Sequence, residues 1–416
     1  MYHELLTNDM KKFTPSTSDA TLNTVFALKK AEEEISTVCA QVEDSCVFEQ
    51  IREVVEADYD IGTLEEVYQI FGGAINLSYG IYVQKDGERH TWFFRKYMRH
   101  KDMNELMMEH TLLLYAREQG FDKSATPIVA KSGLTYAERD EKNPDGTVEK
   151  WYYAVYNFIP GFQSYDWINN DLSETAYRDC AKTYAEFHNA VRDFDPKTYS
   201  RAENNINILM DEFPRDFQRY IKFYKENGYV NSFSDYFERS QDYITKMCEK
   251  AKIPEKDFRQ LPVVPCQCDP HPMNFKYNAD DTVSGIFDFD WAKMEVRLFE
   301  IGFASSYFMS PWDHEATGNT RDGNINAEGL MDFITTYNNR LKELNGLTPL
   351  TELEKKYYFE SIIMGVQYLI RWASEACFKD MTLNPYEYLL YMQHEVRTLE
   401  WLEKHEAEVR EFSSKF

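Results

Sequence analysis

Between residues 65 and 159 the apolar side chains of this chain fall in short runs with strand spacing, and beyond Pro160-Gly161 they recur with helical spacing almost to the end. One change of period near residue 160 restricts the chain to two parts of different secondary structure. At 416 residues it also exceeds what one core organises. Two lobes are expected, with a cleft between them of the kind in which ligands sit.

In the first part, Val67, Ile70 and Phe71 lead into Gly72-Gly73. Residues 79–83, a Lys85-Asp86-Gly87 turn and residues 91–97 follow, which predicts three antiparallel strands. A helix is predicted from about Asp102 to Gly120, with Leu106, Met107, Leu113 and Leu114 as its apolar side. Strand character returns at 127–130, 134–137 and 151–159, the last two joined across Asn143-Pro144-Asp145-Gly146. Ahead of all these, Val25, Leu28, Ile35, Val38 and Val42, then Val47, Ile51, Val54 and Val55, have helical spacing. The expected organisation is a helical extension over 1–60, a strand-rich lobe over 61–160, and a helical lobe over 161–416. The second lobe is interrupted by short apolar runs at 261–265 and 283–288. The apolar side of the extension needs a cover, so both a monomer and a homodimer are open.

Composition excludes some functions. Seventy acidic against 46 basic residues give a formal charge of −24, which repels polyanions and leaves no dense basic stripe, so nucleic acid is not an expected partner. The 29 Tyr, 28 Phe and 7 Trp supply stacking walls for a planar or sugar-like ligand. Seven scattered cysteines suit reduced thiols, and Cys266-Gln267-Cys268 lacks the spacer and second pair of a structural zinc site. The chain opens without a basic start and apolar run, and no apolar segment approaches membrane-spanning length. A cytoplasmic protein without membrane contact is the expectation.

The segment from Cys266 to Phe275, followed by residues 284–291, sets Asp269, then Asn274 five residues on, then Asp288 fourteen residues further. Phosphoryl transfer needs a carboxylate to take the proton of an attacking hydroxyl, and oxygen ligands to hold a divalent cation beside the phosphates. Asp269, Asn274 and Asp288 carry such oxygens, although Asp-Pro and Asn are also ordinary turn formers. Upstream, Gly72, Gly73, Asn76 and Ser78 lie between two predicted strands, where backbone amides can approach phosphates. A glycine pair alone is more often a plain hairpin turn. The next strand ends in Arg95-Lys96, and strand alternation turns only one of them towards the cleft. Glu109 on the following helix is the candidate partner for that cation, with Glu105 the alternative.

Asp269-Pro270-His271-Pro272-Met273-Asn274 resembles the catalytic loop of the aminoglycoside phosphotransferase and choline kinase family, and Ile286-Phe287-Asp288-Phe289 resembles its metal motif. The resemblance implies an α+β, protein-kinase-like two-lobed fold, with an antiparallel sheet plus helix in the N-lobe and a mostly helical C-lobe. It implies a small-molecule kinase using ATP and Mg2+, with Asp269 as catalytic base and Asn274 and Asp288 as metal ligands. Gly72, Gly73, Asn76 and Ser78 would then cover the nucleotide phosphates, and Arg95 or Lys96 would pair with them, held by Glu109. Arg95 stands at the family's usual lysine position. Asn157 and Phe158 fall in the hinge that contacts adenine in this family. Phe187-His188 resembles its Leu-His helix, with His188 packed behind the loop. Glu300 stands where relatives have Asp, and either braces the loop or reaches substrate. Asp290, Trp291, Glu300, Trp312, Asp313 and Trp372 are candidates for the pocket of a small-molecule hydroxyl acceptor.

One departure stands out: Gln267-Cys268 replaces the family's usual His-Gly, and Cys adopts left-handed backbone geometry less readily than Gly. It supports a second reading, a nucleotide-binding pseudokinase that regulates a partner. Residues 73–79, 132–138 and 187–195 resemble N-acetylhexosamine kinases more weakly. That points to a sugar or amino-sugar acceptor ahead of homoserine, choline-like amines and aminoglycosides.

Overall fold

A computed structural model describes residues 25–30, 33–70, 76–97, 102–142, 146–165, 170–312 and 322–416. The strands of the first part are β1 (Val25–Lys30), β2 (Glu33–Gln41), β3 (Thr63–Ile70), β4 (Leu77–Lys85), β5 (Glu88–Lys96), β6 (Ala137–Lys142) and β7 (Val148–Asn157). They form one antiparallel sheet in the order β1-β2-β3-β4-β5-β7-β6. Side chains alternate across it. Phe94, Tyr153 and Val155 point to helix α1 (Ser45–Asp58), packing with Ile51, Val54 and Val55. Ala154 and Tyr156, on the opposite face, share a core with Leu106, Leu112 and Leu113 of α2 (Met103–Glu118). Each of these buried leucines contributes about 1.5–3 kcal/mol. The Asp102 side chain caps α2 by accepting from Asn104 N at 2.7 Å, and Gly120 just past its end takes a φ of +87°.

Three expectations need correction. Residues 25–30 and 33–41 are not helical: they form the antiparallel pair β1–β2, and Cys39, Ala40 and Gln41 pair with Ile70, Gln69 and Tyr68 of β3. Short apolar runs fit both periods, and an open sheet edge decides between them. Among the described residues of the expected 1–60 extension, only Ser45–Asp58 is helix. Residues 127–130 make a single bridge, Pro127 to Tyr156, rather than a strand, and β6 begins only at Ala137.

The second part is mainly helical: α3 (Glu174–Val191), α4 (Ile206–Glu226), α5 (Ser232–Ala251), α6 (Glu255–Phe258), α7 (Arg297–Met309), α8 (Ala327–Leu344), α9 (Glu352–Lys379) and α10 (Pro385–Ser413). Two small ladders lie among them. β8 (Val263–Cys266) pairs with β11 (Lys293–Val296), and β9 (Phe275–Tyr277) with β10 (Val283–Ile286). The sequence reading anticipated β8 and β10 but not their partners, which are only three and four residues long.

α7 and α9 cross closely because each contributes a glycine. A Cβ on Gly302 would lie 2.5 Å from the Ser361 carbonyl carbon, and one on Gly365 would lie 2.6 Å from Phe303 Cα. The same helices are tied at their starts by a fully buried ion pair. Arg297 Nε reaches Glu354 Oε1 at 2.6 Å and Nη2 reaches Oε2 at 2.8 Å, with Nη1 on the Thr348 carbonyl at 2.8 Å. This junction fixes α7, and α7 carries Glu300.

Candidate active site

β8 delivers the chain into a loop that ends in β9, and β10 leads into a second loop that ends in β11. Hydrogen bonds between the two loops make residues 267–274 and 287–292 neighbours. Gln267, fully buried, joins them: its Oε1 accepts from Tyr184 Oη at 2.9 Å, and its Nε2 donates to the carbonyls of Phe287 and Asp288, the latter at 3.3 Å. Phe287 N donates to the Asn274 carbonyl at 2.8 Å, closing a second link.

Within the first loop, Asn274 Nδ2 donates to the Asp269 carbonyl at 2.8 Å and to Asp269 Oδ2 at 3.0 Å. The amide nitrogen is therefore used inside the loop, which leaves the amide oxygen as the atom with ligand character. His271 Nε2 lies 3.6 Å from the same Asp269 oxygen. Burial raises the Asp269 carboxyl above its usual range, opposed by His271 and by the Asn274 hydrogen bond.

Cys268 takes a φ of +63°, the left-handed conformation that glycine adopts most readily. The cost for a residue with a Cβ is about 1–2 kcal/mol. The loop is held there by Glu300, which is fully buried and accepts from Cys268 N at 2.7 Å through Oε1, while its Oε2 meets His188 Nε2 at 2.6 Å. His188 Nδ1 is in turn 2.9 Å from Tyr337 Oη. Glu300 thus braces the loop from behind; with no exposure, it is not part of an acceptor pocket.

Asp288 also has a positive φ, +53°. Its Oδ1 is buried and accepts no hydrogen bond, although the side chain as a whole is 35 % exposed. Burial, then repulsion from Asp290, push its carboxyl up to about 7, with Arg95 acting in the opposite sense. An acceptor oxygen kept without a donor beside a second carboxylate is the arrangement a hard cation satisfies.

Arg95 and Lys96 separate as alternation demands. Lys96 lies on the α1 face, hydrogen-bonded to Glu141 at 2.8 Å and Gln50 at 3.2 Å and set over the Trp151 ring at 4.2 Å. It is therefore removed from the candidate site. Arg95 faces the second lobe: Nη1 is 3.0 Å from Asp290 Oδ1 and 3.5 Å from Glu109 Oε1, and Nη2 is 3.8 Å from Asp288 Oδ1. Its Nε is buried without a partner. Burial disfavours its charge, but Asp290, Asp288 and Glu109 outweigh that and raise its pKa. Glu109 is positioned by Tyr156 Oη at 3.0 Å and Tyr97 Oη at 3.4 Å. The alternative partner, Glu105, turns instead to Arg201 at 3.5 Å.

Ser78 lies opposite Arg95 in the β4–β5 ladder, so the two share a face. Asn76 Nδ2 donates to Asp290 Oδ2, a contact that crosses between lobes. Gly72, Gly73 and Asp313 lie outside the described residues. At the end of β7, Asn157 Oδ1 accepts from Thr126 N at 2.6 Å, and Phe158 lies beneath Lys276 Nζ at 4.8 Å and packs with Tyr82. The remaining acceptor candidates divide. Trp291 lies under the Arg201 guanidinium at 4.0 Å, close to the carboxylate cluster. Trp312 is stacked on His394 at 4.1 Å and nearly fully buried, while Trp372 packs on Tyr388 and Tyr391 and is 38 % exposed.

Comparison with known proteins gives this geometry a family. The profile of the phosphotransferase enzyme family matches residues 67–338. Among solved structures, an aminoglycoside phosphotransferase from Alicyclobacillus acidocaldarius superposes with a TM-score of 0.55 at 15% identity, covering 86% of this chain and 96% of that one. A choline kinase from Cryptosporidium parvum gives 0.55 at 12% identity, with 89% and 99% covered. An amicoumacin kinase, solved with AMP-PNP and Ca2+, gives 0.54 at 13% identity, with 88% and 94% covered. No curated protein sequence matches at a significant level. The family profile spans well over half of the chain and includes both loops, so the protein belongs to the phosphotransferase enzyme family.

Proposed function

We propose that this protein is an ATP- and Mg2+-dependent kinase that transfers the γ-phosphoryl group to a hydroxyl of a small molecule, a sugar or amino sugar in the first instance. The observation that carries this reading is the pairing of the Asp269–Asn274 loop with the Asp288 loop through Gln267 and Phe287 N, with Arg95 beside Asp288 and Asp288 Oδ1 left without a hydrogen-bond donor.

The donor set suits a hard divalent cation, since the Asn274 amide oxygen and the Asp288 carboxylate are both hard oxygen donors. Bound there beside the phosphates, the cation would neutralise charge on the transferred group. Asp269 accepts the proton of the acceptor hydroxyl at a carboxylate oxygen and orients that hydroxyl, while Asn274 fixes the rotamer of Asp269. Arg95 supplies positive charge for the phosphates beside Asp288, with Glu109 and Asp290 holding the guanidinium plane. Gln267 keeps the two loops in register. The amicoumacin kinase holding AMP-PNP and Ca2+ supports nucleotide and divalent-metal use by this fold. Aromatic side chains, with Trp291 nearest the carboxylates, would provide the acceptor's apolar wall.

Purified protein incubated with MgATP and a panel of sugars, amino sugars, amino alcohols and aminoglycosides tests this, with Asp269→Asn as control. Phosphorylated product from the wild type alone is the expected result. Nucleotide binding without transfer to any acceptor would favour the pseudokinase reading instead.

A further inference from the structure

We infer that Arg201 is a positioning residue that clamps helix α2 of the first lobe to the Asp288–Asp290 loop of the second. Arg201 lies between α3 and α4, far in sequence from Glu105, Asp290 and Trp291. Its Nη1 donates to the Asp290 carbonyl at 3.1 Å, its guanidinium covers the Trp291 ring at 4.0 Å, and it pairs with Glu105 Oε2 at 3.5 Å. Glu105 stands in the first turn of α2, one helical turn before Glu109. One side chain therefore joins the helix that holds Arg95 to the loop that carries Asp288.

The loop presenting Arg201 is itself immobilised. Lys293 Nζ meets Glu203 Oε2 at 2.8 Å and the Asn204 carbonyl at 2.9 Å, and Tyr368 Oη donates to Glu203 at 3.0 Å. Glu295 Oε2 accepts from Ile206 N at 2.8 Å, fixing the start of α4. Lys293 and Glu295 are almost fully buried. The clamp thus extends from a rigid base in the second lobe. Arg201 Nε is buried with no acceptor, so the side chain is not placed to maximise its own hydrogen bonding. Its placement follows the two groups it bridges. Movement of α2 away from the second lobe would break the Glu105 arm and displace Glu109, and with it Arg95.

The kinetic consequence rests on the kinase reading, whereas the structural one does not, so both are measured on the full chain. In amide hydrogen exchange without ligands, Arg201→Ala is expected to speed exchange about tenfold over residues 103–109 and 288–291, with α9 unchanged. In steady-state assays it is expected to raise KM for the nucleotide about tenfold and leave the acceptor KM within about twofold. Arg201→Lys retains the Glu105 pair but not the planar stack, so it should restore protection of α2 and not that of 288–291. Should Arg201→Ala fold poorly, Glu105→Gln removes the α2 arm alone and should loosen only residues 103–109. Wild-type exchange in both segments, or an equal rise across α9, would overturn the clamp. If exchange changes as expected but the wild type transfers no phosphate, the clamp stands and the kinase reading falls.

Discussion

Two buried arginines in this molecule face carboxylates, and they are treated differently. Arg297 shares two hydrogen bonds with Glu354 and gives others to backbone carbonyls, so the pair is enclosed and satisfied. Arg95 is surrounded by three carboxylates, yet only Asp290 lies at close range, its Nε has no partner, and Asp288 keeps a bare oxygen. The first junction spends its hydrogen-bonding capacity on the fold; the second holds capacity in reserve. Reserve of this kind costs stability and is expected where a ligand completes the network.

The largest difference is expected at Asp269, the proton acceptor of the proposed reaction. Asp269→Asn should lower kcat by about 10²–10⁴-fold without lowering the melting midpoint, because it removes a proton acceptor, keeps the shape and leaves no buried charge. At the structural arginine the outcome reverses. Glu354→Ala strands a buried Arg297 and should cost about 3–5 kcal/mol in a denaturant titration, with the remaining folded protein active. Arg95→Lys lies between: it keeps the charge but loses the flat fork, and should reduce kcat/KM about tenfold or more with little change in stability.

Asp288 gives a test in pH. Its carboxyl is raised from the usual 3.8 to about 7, so between these values the folded chain binds more protons than the unfolded one. Stability of the metal-free protein therefore falls as pH rises through that window. Asp288→Asn removes the loss, and should melt about 2 °C or more above wild type at pH 8, converging with it near pH 4. Smallest of all should be Cys268→Gly, where relief of the positive φ offsets the loss of a buried thiol, leaving stability within about 1 kcal/mol of wild type.

How much of this was legible beforehand follows from chain distance. Asp269, Asn274 and Asp288 stand within twenty residues of one another, so their spacing alone suggested a shared site. The choice between Arg95 and Lys96 needed the identity of the two sheet faces, which depends on helices α1 and α2 landing on opposite sides. Arg201 gave no local signal, since its contacts at 105, 290 and 291 are all made in three dimensions. The β1–β2 pair was misread because pairing with β3 outweighs a periodicity that short runs hardly define. The left-handed Cys268 was visible as a departure from the family's Gly, but the Glu300 brace that holds it appears only once α7 is placed.

The proposed chemistry requires one divalent-cation site assembled from the two loops. Mn2+ binding in the presence of a non-hydrolysable ATP analogue, followed by electron paramagnetic resonance, measures it directly in wild type and Asp288→Asn. One tightly held ion in the wild type, weakened at least about tenfold in the variant, is the expected result. Equal affinity in the two proteins would contradict it.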